Sequence, residues 1–317
     1  MTISAVVVGL GKVGLKYDLE SQITGQIMTH VKALIEHPGY TLLGAVDTVE
    51  ENRVICEAVY GVSCFEELSQ GLFSNKPDLV VVATPTETHL SVLTEVLNRS
   101  TPRAVLLEKP LAYSLTESRK ILQLCDDANV SCFVNYTRRS LPEIYEIKNR
   151  ISATESIGHC WYSKGLFNNA SHFINLCQLL LGDALECRII SSGRRLNQFD
   201  VEPDFYIKFE RGRVAFSAAI EENFSLNALD IVNSLGRLIY DQGGIRIHFY
   251  NAQDDLDFPG YRSLSPVPEE LSAELYKGQW HVVDQIAREL GFGDGRVSTV
   301  IDAFETLRIC SQILDMN

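Results

Sequence analysis

The chain has 317 residues, enough for two cores, and 45% of them are hydrophobic, so a largely disordered chain is excluded. Its formal net charge of −13 argues against nucleic acid as a main partner, because no excess of Lys and Arg is present to neutralise phosphates. The eight cysteines form no C-x-x-C pair and no zinc spacing, no apolar run approaches a membrane span, and the first residues lead straight into a strand. The expectation is a cytoplasmic protein with reduced core thiols, no metal centre and no membrane segment.

Thr2–Val8 reads as a buried strand, followed at once by Gly9-Leu10-Gly11-Lys12-Val13-Gly14. A G-x-G-x-x-G loop directly after a strand is the arrangement a dinucleotide site needs. Gly9 permits the tight turn, Gly11 lets a pyrophosphate approach the backbone, and Gly14 lets the next helix pack on the strand. Residues 15–28 interrupt the expected helix and read as an insertion or long loop, with a helix resuming at Thr29. The second strand, Tyr40–Val46, ends in Asp47, an acid placed to accept both hydroxyls of an adenosine ribose. It lies 33 residues past Gly14, further than usual, which the inserted segment accounts for. A helix cap is the alternative use of Asp47.

A helix over 50–60, a short strand at 61–64 and a helical turn from Phe65 follow. Leu79–Ala83 is a continuous apolar strand ending in Thr84-Pro85-Thr86, with His89 in the first turn of the next helix. Arg103–Leu107 ends in Glu108-Lys109-Pro110. Ser114 and Glu117 form a capping box for a helix to Ala128, and Val130–Val134 ends in Asn135-Tyr136. Alternating strands and helices predict a Rossmann-type doubly wound parallel sheet over residues 1–135. Polar groups collect at the strand carboxyl ends, where such sheets bind ligands.

Residues 136–317 change character. Helices at 141–151 and 168–181 flank a strand at 155–163. Strands at 184–194, 205–210, 214–220, 228–232, 236–240 and 245–249 predict an α+β domain with an open, mostly antiparallel sheet. Residues 251–268 read as a polar loop, and 269–290 and 297–314 as closing helices. Trp161 and Tyr162 read as core packing.

On Gly9–Gly14, Asp47, Thr84-Pro85 with His89, and Glu108-Lys109-Pro110, the chain resembles the glucose–fructose oxidoreductase / inositol dehydrogenase / MocA family. Gly165–Asn175 and Ala303–Leu314 extend the resemblance over nearly the whole chain. It implies an oxidoreductase using NAD, with NADP less favoured, on sugars, nucleotide sugars or cyclitols. It also implies homodimers or homotetramers built through the C-terminal sheet. The cofactor set is then Gly9, Gly11, Lys12, Val13, Gly14, Asp47, Thr84, Pro85, His89, Glu108 and Lys109.

The catalytic pair implied is Lys109 and His172. An ammonium at a strand end can stabilise negative charge as a hydroxyl proton leaves, and imidazole can carry that proton near neutral pH. A solvated lysine and a carbonyl-bonded histidine are the alternatives. Asn168, His172 and Asn175 share a helix face by spacing, and both Asn replace acids of the family pattern. Asn168, Asn175, Tyr136 and Arg138 are the expected substrate contacts. Arg138 fits equally as a solvated crossover residue. Two other functions stay open: a glycosidase using bound NAD for a transient oxidation, and a non-catalytic dinucleotide-binding regulator.

Overall fold

The computed structural model describes residues 2–73, 76–271 and 274–317. Strand β1 (Ile3–Val8) feeds the glycine loop and a π-helical turn (Lys12–Lys16). Then come α1 (Tyr17–Glu20), α2 (His30–Glu36), β2 (Tyr40–Val46), α3 (Glu50–Tyr60), β3 (Cys64–Phe65) and α4 (Leu68–Phe73). They are followed by β4 (Leu79–Val82), α5 (His89–Arg99), β5 (Ala104–Leu107), α6 (Leu115–Asp127) and β6 (Ser131–Val134). The six strands are all parallel in the order β3-β2-β1-β4-β5-β6, the Rossmann order. The order in which strands join the sheet reverses between β1 and β4, and in such sheets the ligand crevice lies at that point. β4 and β5 are apolar along their whole length because both faces are covered, and every residue of each is fully buried. Ser114 caps α6 by accepting the Glu117 N–H at 3.2 Å.

The segment after the glycine loop is not a featureless insertion. It continues through the π-helical turn into α1, and Asp18 then ties its far end. The Asp18 carboxylate accepts from Met28 N (2.9 Å), Thr29 N (2.8 Å) and Thr29 Oγ1 (2.6 Å). The short strand expected at 61–64 lies at Cys64–Phe65, because Gly61 adopts a left-handed conformation that ends α3.

Further along the chain lie α7 (Pro142–Ser152), β7 (Ser156–Tyr162), a π-helical turn (Leu166–Ala170) and α8 (Ser171–Leu181). The strands β8 (Ala184–Arg195), β9 (Val201–Phe209), β10 (Gly212–Ala218), β11 (Ala228–Asn233), β12 (Gly236–Asp241), β13 (Arg246–Asp254), β14 (Arg262–Leu264) and β15 (Glu269–Leu271) follow, then α9 (Gly278–Phe292) and α10 (Val300–Met316). The second sheet runs β14-β13-β12-β11-β7-β10-β9-β8, with β15 beside β13. Among the described residues only the β7–β10 pair of this sheet is parallel, so the sheet is mostly antiparallel as expected. One face is apolar and buried: Phe205 stacks on Phe216 at 4.6 Å, and Phe173 of α8 meets Tyr240 edge-on. On β7 and β11 the opposite face leaves Ile157, Trp161 and Val232 exposed, so Trp161 is not the core residue expected.

Two helix and loop assignments fail. Residues 251–268 are not all loop, since β13 extends to Asp254 and pairs with β14. Glu269–Leu271 is strand rather than helix, because backbone pairing with Ile247–Phe249 overrides the helical preference of its glutamates.

By contacts the chain divides into one unit of Met1–Ser140 with Tyr276–Glu305, and another of Leu141–Leu275 with Thr306–Asn317. The sequence pattern places everything after residue 135 in the second domain. Residues 276–305 instead pack with the first, since Val282, Val283 and Ile286 of α9 share a core with Ile3, Ala5, Val7 and Leu34. Tyr40 also donates to the Val283 carbonyl at 2.7 Å.

Candidate functional site

Gly9 has φ +99°, and a Cβ there would lie 2.6 Å from the Ala83 carbonyl oxygen. Only glycine lets the loop cross the end of β4 so closely. A Cβ on Gly14 would fall on the Gly9 carbonyl, whereas one on Gly11 would meet nothing. Gly11 thus leaves the loop open on one side. The next helical turn begins there, and its first N–H groups have no intrahelical partner. Lys12 is exposed and Val13 half-buried in that turn. The residues fit a pyrophosphate against the loop.

Beside the loop lies a cavity of about 560 Å³, lined by Gly9, Gly11, Asp47, Asn52, Thr84 and Pro85 among others. Five of the predicted cofactor residues therefore meet in one place. Asp47 Oδ2 accepts the Leu10 N–H at 2.6 Å, and Oδ1 accepts the Val49 N–H at 2.8 Å. The carboxylate thus ties the glycine loop to the end of β2 as well as facing the cavity. It does not cap α3, whose N-cap is Val49. Arg53, the nearest downstream base, donates to the Asp47 carbonyl at 2.7 Å and lies 3.6 Å from Glu66.

His89 does not line the cavity. It is fully buried, with Nδ1 3.2 Å from the Leu111 carbonyl and Nε2 3.1 Å from the Thr84 carbonyl. Burial holds its imidazole below the ordinary range, against the pull of those carbonyls and of Glu108. It braces the end of β4 behind Thr84-Pro85.

At the end of β5 the Lys109–Pro110 peptide is cis, and Lys109 is half-buried. Glu108 does not reach outward. Its Oε1 lies 2.6 Å from His30 Nε2 and accepts Asn135 Nδ2 at 2.6 Å, while Oε2 accepts the Lys109 N–H at 3.3 Å. Asn135 Nδ2 also reaches Gln279 Oε1 at 3.1 Å. Burial alone would raise the Glu108 carboxyl, but His30, Asn135 and Lys109 together bring it below its ordinary value. Tyr136 is 3% exposed. Arg138 is half-buried, and its neighbour Arg139 pairs with Asp302 at 2.9 Å.

In the second unit, Asn168 sits exposed in the π-helical turn before α8, and His172 sits half-buried in the first turn of α8. Asn175 is 1% exposed and donates to Thr306 Oγ1 at 3.0 Å, so it anchors α10 and is unavailable to substrate. Asp200, which no spacing in the sequence singled out, fixes the turn: its carboxylate accepts from Phe167 N and Asn168 N, each at 3.0 Å. Burial raises the Asp200 carboxyl, against the backbone bonds that lower it. Gly165, at φ +98°, leaves room for that carboxylate, on which a Cβ would fall. Tyr162 is fully buried and donates to the Pro203 carbonyl at 2.5 Å. Burial and the acids Glu202, Asp204 and Asp200 hold its hydroxyl far above its ordinary value.

Residues 3–136 match the model of an oxidoreductase family with an NAD-binding Rossmann fold. The chain is 27% identical over 129 residues to the rhizopine catabolism protein MocA of Rhizobium meliloti, covering 41% of this chain and 39% of the relative. It is 35% identical over 88 residues to scyllo-inositol 2-dehydrogenase (NAD(+)) of Bacillus subtilis, covering 28% and 25%. The chain thus spans well under half the length of these relatives. The WlbA dehydrogenase from Bordetella pertussis, solved with NADH and UDP-GlcNAcA, superposes with a TM-score of 0.75 at 17% identity, covering 100% of this chain and 96% of that one. That likeness is one of fold.

Proposed function

We propose that this chain, whose residues 3–136 match the model of an oxidoreductase family with an NAD-binding Rossmann fold and which resembles the glucose–fructose oxidoreductase / inositol dehydrogenase / MocA proteins, is an NAD(H)-dependent dehydrogenase or reductase. Its substrate is a secondary alcohol, or the matching ketone, of a sugar, nucleotide sugar or cyclitol. The observation that carries this reading is the grouping of Gly9, Gly11, Asp47, Thr84 and Pro85 on one cavity, with the Glu108-Lys109 turn at a strand end of the same sheet. Bound nicotinamide supplies the hydride acceptor or donor. Lys109 holds the reacting oxygen and stabilises the charge left as its proton departs. His172, half-buried at the start of α8, carries that proton, and Asn168 orients a hydroxyl without exchanging a proton of its own.

Asn168 and Asn175 differ from the family's acids, which is the case for a non-catalytic regulator. The burial of Asn175 on Thr306 weakens that case, because a residue packed there reports on α10 and not on chemistry. The exposed face around Ile157, Trp161 and Val232 suits a homodimer or homotetramer joined through the second sheet.

The test is NADH absorbance on mixing the purified protein and NAD with a panel of cyclitols, sugars and nucleotide sugars. Absorbance rising with one of them supports the dehydrogenase. Glycoside cleavage with tightly held cofactor and no net change in it would replace it with the transient-oxidation glycosidase. NAD binding with neither reaction would favour the regulator.

A further inference from the structure

The segment between the glycine loop and α2 ends on a residue with a defined partner. Asp18 fixes the backbone of Met28 and Thr29, and Thr29 is fully buried. The next residue, His30, opens α2 with no exposed surface, and its Nε2 lies 2.6 Å from Glu108 Oε1. An ionised carboxylate only accepts, so Nε2 carries the proton shared with Glu108. Nδ1 is itself buried, with no hydrogen-bond partner. Burying a ring nitrogen without a partner is unfavourable for stability, so the fold gains little from His30 as packing alone. What His30 contributes is its bond to Glu108. The groups that face Glu108 are His30, Asn135 and Lys109, with His89 close enough to feel its charge.

We propose that His30 is a positioning residue for Lys109: it fixes the Glu108 carboxylate at the end of β5, and through it the turn that presents the Lys109 ammonium and the negative charge beside it. The consequence for turnover rests on the function proposed above; the geometry of the pair does not. Without the Nε2–H donor, Oε1 retains only the Asn135 amide. Burial then favours the neutral acid, and Lys109 loses an anion that favours its protonated form. The side-chain amide of a glutamine at position 30 can donate to the same oxygen.

The test reads Lys109 directly and needs no substrate. Trace acetic anhydride labels amines in proportion to their unprotonated fraction, and peptide mass spectrometry follows Lys109 across a pH series. His30→Leu and Glu108→Gln should each move the Lys109 labelling midpoint down by about half a pH unit or more, the double variant no further, and His30→Gln should leave it in place. NADH binding, read by fluorescence, should stay within about threefold of the unsubstituted protein in His30→Leu and His30→Gln, since His30 does not line the cavity beside the glycine loop. A midpoint that moves in Glu108→Gln but not in His30→Leu would overturn the proposal, as would His30→Gln behaving like His30→Leu. Should His30→Leu not fold, ¹⁵N-histidine NMR of the unsubstituted protein decides. The proposal requires a proton on Nε2 of His30, and a ring protonated on Nδ1 alone rejects it. If no sugar or cyclitol is turned over yet the labelling shift appears, the oxidoreductase reading fails and the His30–Glu108–Lys109 linkage stands. If a substrate is turned over and the shift is absent, the linkage fails and the oxidoreductase reading stands.

Discussion

Asp47→Ala tests the cofactor end of the site through two separable quantities. The first is stability. Asp47 Oδ2 holds the Leu10 N–H at 2.6 Å, and Leu10 is fully buried, so the alanine variant leaves a buried donor without a partner. That costs about 1–3 kcal/mol. The Val49 N–H bond is exposed, and water can replace it at little cost. Urea denaturation without cofactor should therefore show a loss of about 1–3 kcal/mol for Asp47→Ala and clearly less for Asp47→Asn, whose amide oxygen still accepts. The second quantity is discrimination. Two unit charges 4 Å apart interact by about 4 kcal/mol at an effective dielectric constant of 20, which caps the preference for NADH over NADPH at about 10³-fold. Arg53 gives a 2′-phosphate no relief, since it already donates to the Asp47 carbonyl and faces Glu66. Fluorescence titration should show NADH bound at least about tenfold tighter than NADPH, with that ratio reduced in Asp47→Asn. Unfolding of Asp47→Ala within about 0.5 kcal/mol of the parent would refute the stability argument. Equal affinity for NADPH in the parent would refute the argument from charge.

Three further outcomes are expected. His172→Ala should lower turnover by about 10²–10⁴-fold, the usual worth of a positioned acid–base group, while Asn168→Ala should mainly raise KM; a dead Asn168→Ala beside an active His172→Ala would reverse the assignment. Gly165→Ala should destabilise the protein by about 2–4 kcal/mol in thermal or chemical unfolding, because its backbone conformation and the Asp200 carboxylate both exclude a side chain, and wild-type stability would contradict this. Glu108 is held below its ordinary value in the folded protein, so its contribution to stability is complete above the unfolded value of about 4.3 and is lost as pH falls through the folded value. Unfolding free energy should therefore drop less steeply below about pH 4.3 in Glu108→Gln than in the parent, and parallel slopes would show that Glu108 is not stabilised as an anion.

What the sequence revealed follows the range of its forces. The parallel sheet was legible because β4 and β5 are buried on both faces and read as unbroken apolar runs. The glycine loop was legible because each glycine answers a local backbone demand. Helical residues in 269–290 were overestimated, since nothing local shows that Glu269–Leu271 pairs with a strand about twenty residues earlier. The site divides in the same way. Asp47 and Lys109 sit at strand ends, which spacing finds. That Asn175 would be consumed by Thr306 depends on a contact 131 residues away, and the His30–Glu108 pair spans 78. The bond of Asp200 to the turn before α8 is equally invisible to periodicity. Its role depends on β9 bringing it beside Gly165.

The proposed activity is hydride transfer between nicotinamide and a sugar-type carbon with Lys109 at the reacting oxygen. Isotope transfer tests it most directly. NADH carrying deuterium at the reactive nicotinamide carbon is incubated with keto-sugars, keto-cyclitols and nucleotide keto-sugars, and the products are read by mass spectrometry. Deuterium is expected on the former ketone carbon of at least one of them, with loss of that transfer in Lys109→Ala while NADH binding is retained. Bound NADH with no transfer to any member of the panel would contradict the claim, as would transfer that survives in Lys109→Ala within a few-fold of the parent.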